Sequence, residues 1–61
     1  MKVYLVIEST WNGTNAYTDE CTEVYLDRSK AEESSNLFNS GEYNKKEGNS
    51  SYVQEMEVIE S

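Results

Sequence analysis

Carboxylates are the side chains of this sequence best suited to chemistry. Twelve of the 61 residues are Asp or Glu, five are Lys or Arg and none is His, so the formal net charge at pH 7 is -7. Paired carboxylates can act as general acid and general base, but they need a pocket that so short a chain rarely forms. Without His, neither a Ser-His-Asp nor a Cys-His nucleophile can be assembled. The composition therefore predicts that the chain is not an enzyme.

Metal and cofactor sites are not expected either. Cys21 is the single cysteine, so it can form neither an internal disulfide nor, without His, a Cys/His zinc site. No stretch follows the calcium-loop pattern of alternate Asp or Asn with a central Gly and a closing Glu. Cys21 itself is predicted to be a half-buried strand residue rather than a reactive thiol, because acidic neighbours oppose the thiolate form.

The acidic residues allow two interpretations. They can form a solvated surface that keeps a small protein soluble, or they can imitate nucleic-acid phosphates and occupy a basic groove of another protein. Alternate carboxylates on a strand lie about 6.6 Å apart, and Glu55 and Glu57 have this spacing. Negative charge disfavours direct binding to nucleic acid and to anionic membranes. The expected partner is therefore a larger protein with a basic surface, with no direct nucleic-acid contact and no membrane.

The residues predicted to bind this partner are acidic residues of the second and third strands, together with aromatic residues of the first hairpin. They are Asp19, Glu20, Glu23, Glu55, Glu57, Trp11, Tyr4 and Tyr17. Trp11 adjoins the predicted turn, where it can fold over the sheet edge or stay exposed as an anchor for a partner.

Two strands are predicted to open the chain as a hairpin. Residues 2–8 are rich in β-branched and aromatic residues and are apolar on both faces, which is typical of a central strand. Asn12-Gly13 is a strong signal for a hairpin turn. Residues 16–26 form the predicted returning strand, in which residues 19–20 mark a bulge or a late start.

A helix and a third strand complete the prediction. Asp27 is a good N-cap for a helix over 28–39, and Gly41 is the expected C-terminal stop of that helix. The helical face with Ala31 and Ser35 is poor in bulk, so the helix can dock closely. Residues 40–51 are polar and predict a mobile loop, and residues 52–60 alternate as the last strand, with Glu60 among its acidic side chains.

These elements predict an α+β fold: a single ββαβ domain over 1–61, with strand order 2-1-3 and one helix packed on one face of a three-stranded antiparallel or mixed sheet. The other face has no second layer, and we expect Tyr4 and Val6 to lie there. That face, or an edge of the second or third strand, could pair with a second copy across a two-fold axis. The alternative function is therefore a homodimeric structural or regulatory module without nucleic-acid mimicry.

Three segments of the sequence resemble very short phage and bacterial proteins of unknown function. They are MKVYLV at 1–6, VYLDRSKAEE at 24–33 and YVQEMEV at 52–58. The resemblance implies the ββαβ fold and a phage or mobile-element setting, and it implies no chemistry. In that setting the chain would inhibit a host defence or nucleic-acid enzyme in the host cytoplasm. A cytoplasmic location also fits the single free cysteine and the lack of a secretory pattern.

Overall fold

Three strands form one sheet, and two helices connect the second strand to the third. The elements are β1 (Lys2–Trp11), β2 (Tyr17–Tyr25), α1 (Arg28–Ser40), α2 (Glu42–Glu47) and β3 (Ser50–Glu57). This computed structural model describes residues 1–59. β1 is central and pairs antiparallel with both neighbours, giving the strand order β2-β1-β3. The predicted α+β fold and strand order are confirmed.

Asn12 and Gly13 build the turn between β1 and β2. The side-chain oxygen of Asn12 accepts hydrogen bonds from the backbone N–H groups of Thr14 and Asn15, at 2.8 and 3.0 Å. Gly13 has a φ of 87°, in the left-handed region that glycine adopts without strain. The turn therefore depends on the Asn-Gly pair that predicted it.

β2 contains one residue more than the stretch of β1 that it faces. Val6 lies opposite Glu23, whereas the next residue of β1, Ile7, lies opposite Cys21. Thr22 is therefore a β-bulge, an extra residue that shifts the alternation of side chains between the two faces. The prediction placed an irregularity at residues 19–20, and the structure places it at Thr22.

α1 lies across the sheet through its smallest side chains. Asp27 is its N-cap, as predicted, and accepts a hydrogen bond from the backbone N–H of Ser29 at 2.9 Å. Ala31 and Ser35 are buried, so the helix backbone comes close to the sheet. The Ser35 hydroxyl donates to the hydroxyl of Ser51 in β3 at 3.0 Å.

α1 covers the opposite face of the sheet from the one expected. Ser51, which bonds to α1, lies opposite Glu8 in β1, so Glu8, Val6 and Tyr4 share the helix face by strand alternation. The Arg28 guanidinium lies 5.9 Å from the centre of the Tyr4 ring, and Val6 is fully buried. The expectation that Tyr4 and Val6 lie on the uncovered face was wrong, because both faces of β1 are apolar and alternation alone does not distinguish them.

The segment predicted as a loop over 40–51 contains α2. Its six residues are five polar ones and Tyr43, and they cover less than two turns, so the sequence has no apolar periodicity there that would predict a helix. Glu42 in the first turn and Lys45 and Lys46 in the last turn suit the helix dipole. Gly48 ends the helix with a φ of 75°. β3 then begins at Ser50 rather than at residue 52, and Glu60 lies outside the described residues.

Candidate protein-binding surface

Acidic side chains on the strands gather on the helix face. Residues directly opposite each other in an antiparallel pair point to the same face, and the register therefore assigns each carboxylate to one side of the sheet. Asp19 lies opposite Ser9 and belongs to the uncovered face, which we call the open face. The other five strand carboxylates belong to the helix face: Glu8, Glu20, Glu23, Glu55 and Glu57.

Two of these five carboxylates have cationic partners within the chain. Lys2 Nζ lies 3.7 Å from Glu55 Oε2, and the terminal amino group of Met1 lies 3.2 Å from Glu57 Oε1. Both pairs are well exposed, so each contributes little to stability. The pairs nevertheless neutralise this end of the helix face, and Glu55 and Glu57 are less available to an outside cation than their spacing suggested.

The three remaining strand carboxylates, Glu8, Glu20 and Glu23, form with Glu33 of α1 what we call the acidic strip. Glu8 and Glu20 lie directly opposite each other, an arrangement that places like charges side by side and is destabilising. Glu23 and Glu33 line an open groove of about 360 Å³ between β2 and α1, where Lys30 is the cationic lining residue. In the described part of the chain, no salt bridge joins a member of the strip to a cation.

The groove exists because α1 packs mainly on β1 and β3 and leaves β2 largely bare. Glu23 joins the two elements there: its carboxylate accepts hydrogen bonds from the hydroxyls of Ser34 and Tyr25, the latter at 2.7 Å. These hydrogen bonds hold the pKa of Glu23 below its ordinary value of 4.5, and the bond from Ser34 has the larger effect. The same carboxylate raises the pKa of Tyr25. The hydrogen bonds to Glu23 therefore favour its ionised form.

The predicted aromatic contacts lie on different sides of the molecule. Trp11 and Tyr17 pack together near the hairpin turn with ring centres 5.2 Å apart, and Trp11 remains 39% exposed. The Tyr17 hydroxyl donates to the Glu47 carbonyl at 3.4 Å, which ties the hairpin to α2. Tyr4, by contrast, lies on the helix face beneath Arg28.

The structure thus divides the predicted binding residues into two groups. Trp11, Tyr17 and Asp19 belong to the open face, whereas Tyr4 belongs to the helix face with the predicted glutamates. Sequence reasoning missed Glu8 and Glu33 as members of the acidic strip. The position of Glu8 could have been found from its alternation with Val6, but that of Glu33 depends on how α1 docks.

Cys21 differs from its prediction in exposure. Cys21 is free and exposed rather than half-buried as predicted, because it lies on β2, which is an edge strand and is exposed along almost its whole length. Residues 1–59 contain no cluster of three or more His, Cys, Asp or Glu side chains arranged to hold a metal ion. Neither described helix is long and apolar enough to cross a membrane.

Comparison with known proteins adds no relative. No family model, no curated protein and no solved structure matches the chain. The resemblance to short phage and bacterial proteins therefore stays a prediction.

Proposed function

We propose that this chain is a small acidic binding module that uses the acidic strip to occupy a basic surface of a larger protein. The observation that carries the proposal is the direct opposition of Glu8 and Glu20, with no salt bridge to either in the described residues. Repulsion between these two carboxylates raises the free energy of the isolated chain. Lys or Arg side chains of a partner would relieve that repulsion on binding.

The chemistry of the strip favours a partner that handles nucleic acid. Surfaces that bind nucleic acid present Lys and Arg to a row of phosphates. In the strip, Glu23 and Glu33 line the groove between β2 and α1, and Glu8 and Glu20 lie on the same face of the sheet. A chain seated on such a surface would compete with the nucleic acid for the same cations. In the phage setting that the sequence resembles, this competition would inhibit a host defence or nucleic-acid enzyme in the cytoplasm, without catalysis by the chain itself.

Association should be driven by long-range attraction. The net charge of -7 steers the chain toward a positive surface and raises the association rate, and salt screens that attraction. Binding should therefore weaken steeply as the ionic strength rises.

A capture experiment with matched charge variants tests the proposal. The wild-type chain is immobilised, incubated with host lysate at low salt and eluted with rising salt. The strip variant is Glu20→Lys/Glu33→Lys, chosen because neither carboxylate accepts a side-chain hydrogen bond among the described residues. The control, Glu42→Lys/Glu47→Lys, changes the net charge equally on α2.

We expect the wild type and the control to retain the same basic protein and the strip variant to lose it. Equal retention by the strip variant, or equal loss by the control, would show that the strip does not form the binding site. A duplex DNA or RNA added to the captured complex then tests mimicry, since a competitor for the same cations should release the partner. Failure to release it would contradict the mimicry and leave the protein-binding role standing.

A further inference from the structure

The open face of the sheet is an apolar surface with no layer packed on it. Val3, Leu5 and Ile7 of β1 occupy its centre, because they alternate with the residues that face α1. Val3 and Ile7 are already buried within the single chain, at 8% exposure each, so the accessible apolar area belongs to the side chains around them. Tyr52 and Met56 of β3 lie opposite Ile7 and Val3, and Val24 of β2 lies opposite Leu5. Val24, Tyr52 and Met56 are 59%, 45% and 44% exposed. An apolar sheet face is stable when another layer buries it.

The open face is also nearly free of charge. Among the strand residues that the register assigns to it, Asp19 is the single charged side chain. Its carboxylate accepts a hydrogen bond from the Tyr52 hydroxyl at 3.2 Å, so the Tyr52 ring reaches from β3 across β1 to β2. In a chain with a net charge of -7, this face is where a second negative chain can approach with least repulsion.

A single copy buries little apolar surface. Its buried apolar side chains are Val3, Val6, Ile7 and Ala31, and its accessible surface is 4521 Å². A compact monomer of 7.0 kDa should expose about 4,000 Å². The larger observed area is consistent with a thin molecule that has a helix layer on only one side of its sheet.

We propose that the open face binds the open face of a second copy of this chain, related by a two-fold axis. Half-exposed aromatic and large aliphatic side chains each offer on the order of 100 Å². With Trp11 and Tyr17 at its end, the face can thus bury roughly 500 Å² per copy and about 1,000 Å² in a pair, the area that a biological interface should clear. The dimer is a sandwich with helices outside and two sheets about 10 Å apart inside.

Charge selects this face over the strand edges. The edge strand β2 carries Asp19, Glu20 and Glu23, and β3 carries Glu55 and Glu57, so edge-to-edge pairing of two copies would bring carboxylates together. Packing through the open faces instead leaves both acidic strips on the outside, pointing away from each other. The inference does not depend on the proposed binding of a basic partner.

The test compares the mass in solution of the wild type with that of two double variants. Val24→Lys/Met56→Lys places two charges on the open face at exposed positions, where they should leave the monomer folded. Leu37→Lys/Tyr43→Lys adds the same charge at exposed positions on α1 and α2. Light scattering under reducing conditions, from micromolar to millimolar chain, gives the dissociation constant. Circular dichroism confirms that each variant is folded.

We expect the wild type and the helix variant to reach twice 7.0 kDa, and the dissociation constant of the open-face variant to rise at least tenfold. Cys21 supplies a second readout, because it lies opposite Ile7 on the open face and is exposed in the single chain. Its alkylation rate in the wild type should fall several-fold as the dimer forms. A wild type that stays monomeric at millimolar concentration, or a dimer in which Cys21 reacts at the monomer rate, would overturn the proposal.

Discussion

At the scale of single residues, Glu23 connects β2 to α1 and is also a member of the acidic strip. It belongs to β2, it accepts a hydrogen bond from Ser34 of α1, and it lies in the acidic strip. Its hydrogen bonds with Ser34 and Tyr25 favour the ionised form and lower its pKa. The charge that a partner would bind is thus also a charge that the fold stabilises.

Acid should weaken the fold through Glu23. Because its pKa is lower in the folded chain than its ordinary value of 4.5, the stabilisation is fully present above that value and is lost as the pH falls through the folded pKa. As the pH falls below about 5, we expect the thermal midpoint of the wild type to fall relative to that of Glu23→Gln, because the amide does not titrate. The single amide oxygen can accept one of the two hydrogen bonds, and the amide NH2 group can donate to the other hydroxyl.

The matched control for this experiment is Glu33→Gln. It removes the same charge from the same groove but leaves the hydrogen bonds of Glu23 in place, and its midpoint should follow the wild-type curve. Circular dichroism melts across the acid range supply the measurement. If the thermal midpoints of the wild type and Glu23→Gln changed in parallel with pH, ionised Glu23 would not stabilise the fold.

At the scale of elements, small polar residues dock α1 on β3. The buried hydroxyls of Ser35 and Ser51 bond to each other. The Asn39 side chain donates to the Ser51 carbonyl at 3.0 Å and accepts from the Ser51 backbone N–H at 2.7 Å. The amide of Asn39 thus satisfies backbone groups on the outer edge of β3 as another strand would, which fixes the helix position where bulky side chains are lacking.

Removing one of the two serine hydroxyls should cost more than removing both. Ser35→Ala leaves the buried Ser51 hydroxyl without its partner and should lower the free energy of unfolding by about 1–3 kcal/mol. Ser35→Ala/Ser51→Ala should recover most of that loss, giving a coupling energy of at least about 0.5 kcal/mol. Urea unfolding of the four chains of the cycle measures it.

The exposed Ser40→Ala is the control, and its effect should stay within about 0.5 kcal/mol. If the two serine effects simply added, α1 would not be docked through this hydrogen bond.

At the scale of the whole molecule, the two sides of the sheet differ in chemistry. The helix face carries five of the six strand carboxylates, whereas the open face carries apolar side chains and Asp19. One chain can therefore present an anionic side to a basic partner and an apolar side to its own copy. The same separation concentrates repulsion on the helix face, where Glu8 opposes Glu20.

Salt should stabilise the folded chain against this repulsion. Raising the ionic strength from about 0.01 M to about 0.15 M shortens the Debye length from about 30 Å to about 8 Å, and the thermal midpoint of the wild type at low micromolar concentration should rise by several degrees. Glu20→Gln, which reduces the net charge from -7 to -6 and removes the opposition to Glu8, should melt higher at low salt and gain less from salt.

Lys45→Gln is the opposite control, because it increases the negative charge and should gain at least as much from salt as the wild type does. Scanning calorimetry in sodium chloride provides the comparison. A wild-type thermal midpoint that does not change with ionic strength would show that repulsion between the carboxylates does not destabilise the fold.

Much of the architecture was predictable because its signals are local. Three local signals determine the structure of the residues next to them: the Asn12-Gly13 turn, the Asp27 cap and the strand β1, which is apolar on both faces. Together they lead to the order β2-β1-β3. α2 was not predictable from the apolar pattern, since its six residues are too few to show a helical period. Its helical conformation depends on the surrounding structure. The acidic strip was only partly predictable, because Glu33 joins it through the docking of α1.

The sequence by itself determined the three strands and α1, their order and the excess of carboxylates. Tertiary structure alone decided which face of β1 lies under α1 and where the carboxylates gather, and the bulge shows the physical reason. Glu20 and Glu23 are three residues apart and would point to opposite faces of a regular strand. The extra residue, Thr22, restores them to one face, and the pairing of two strands, not the spacing within one, creates the acidic side of this protein.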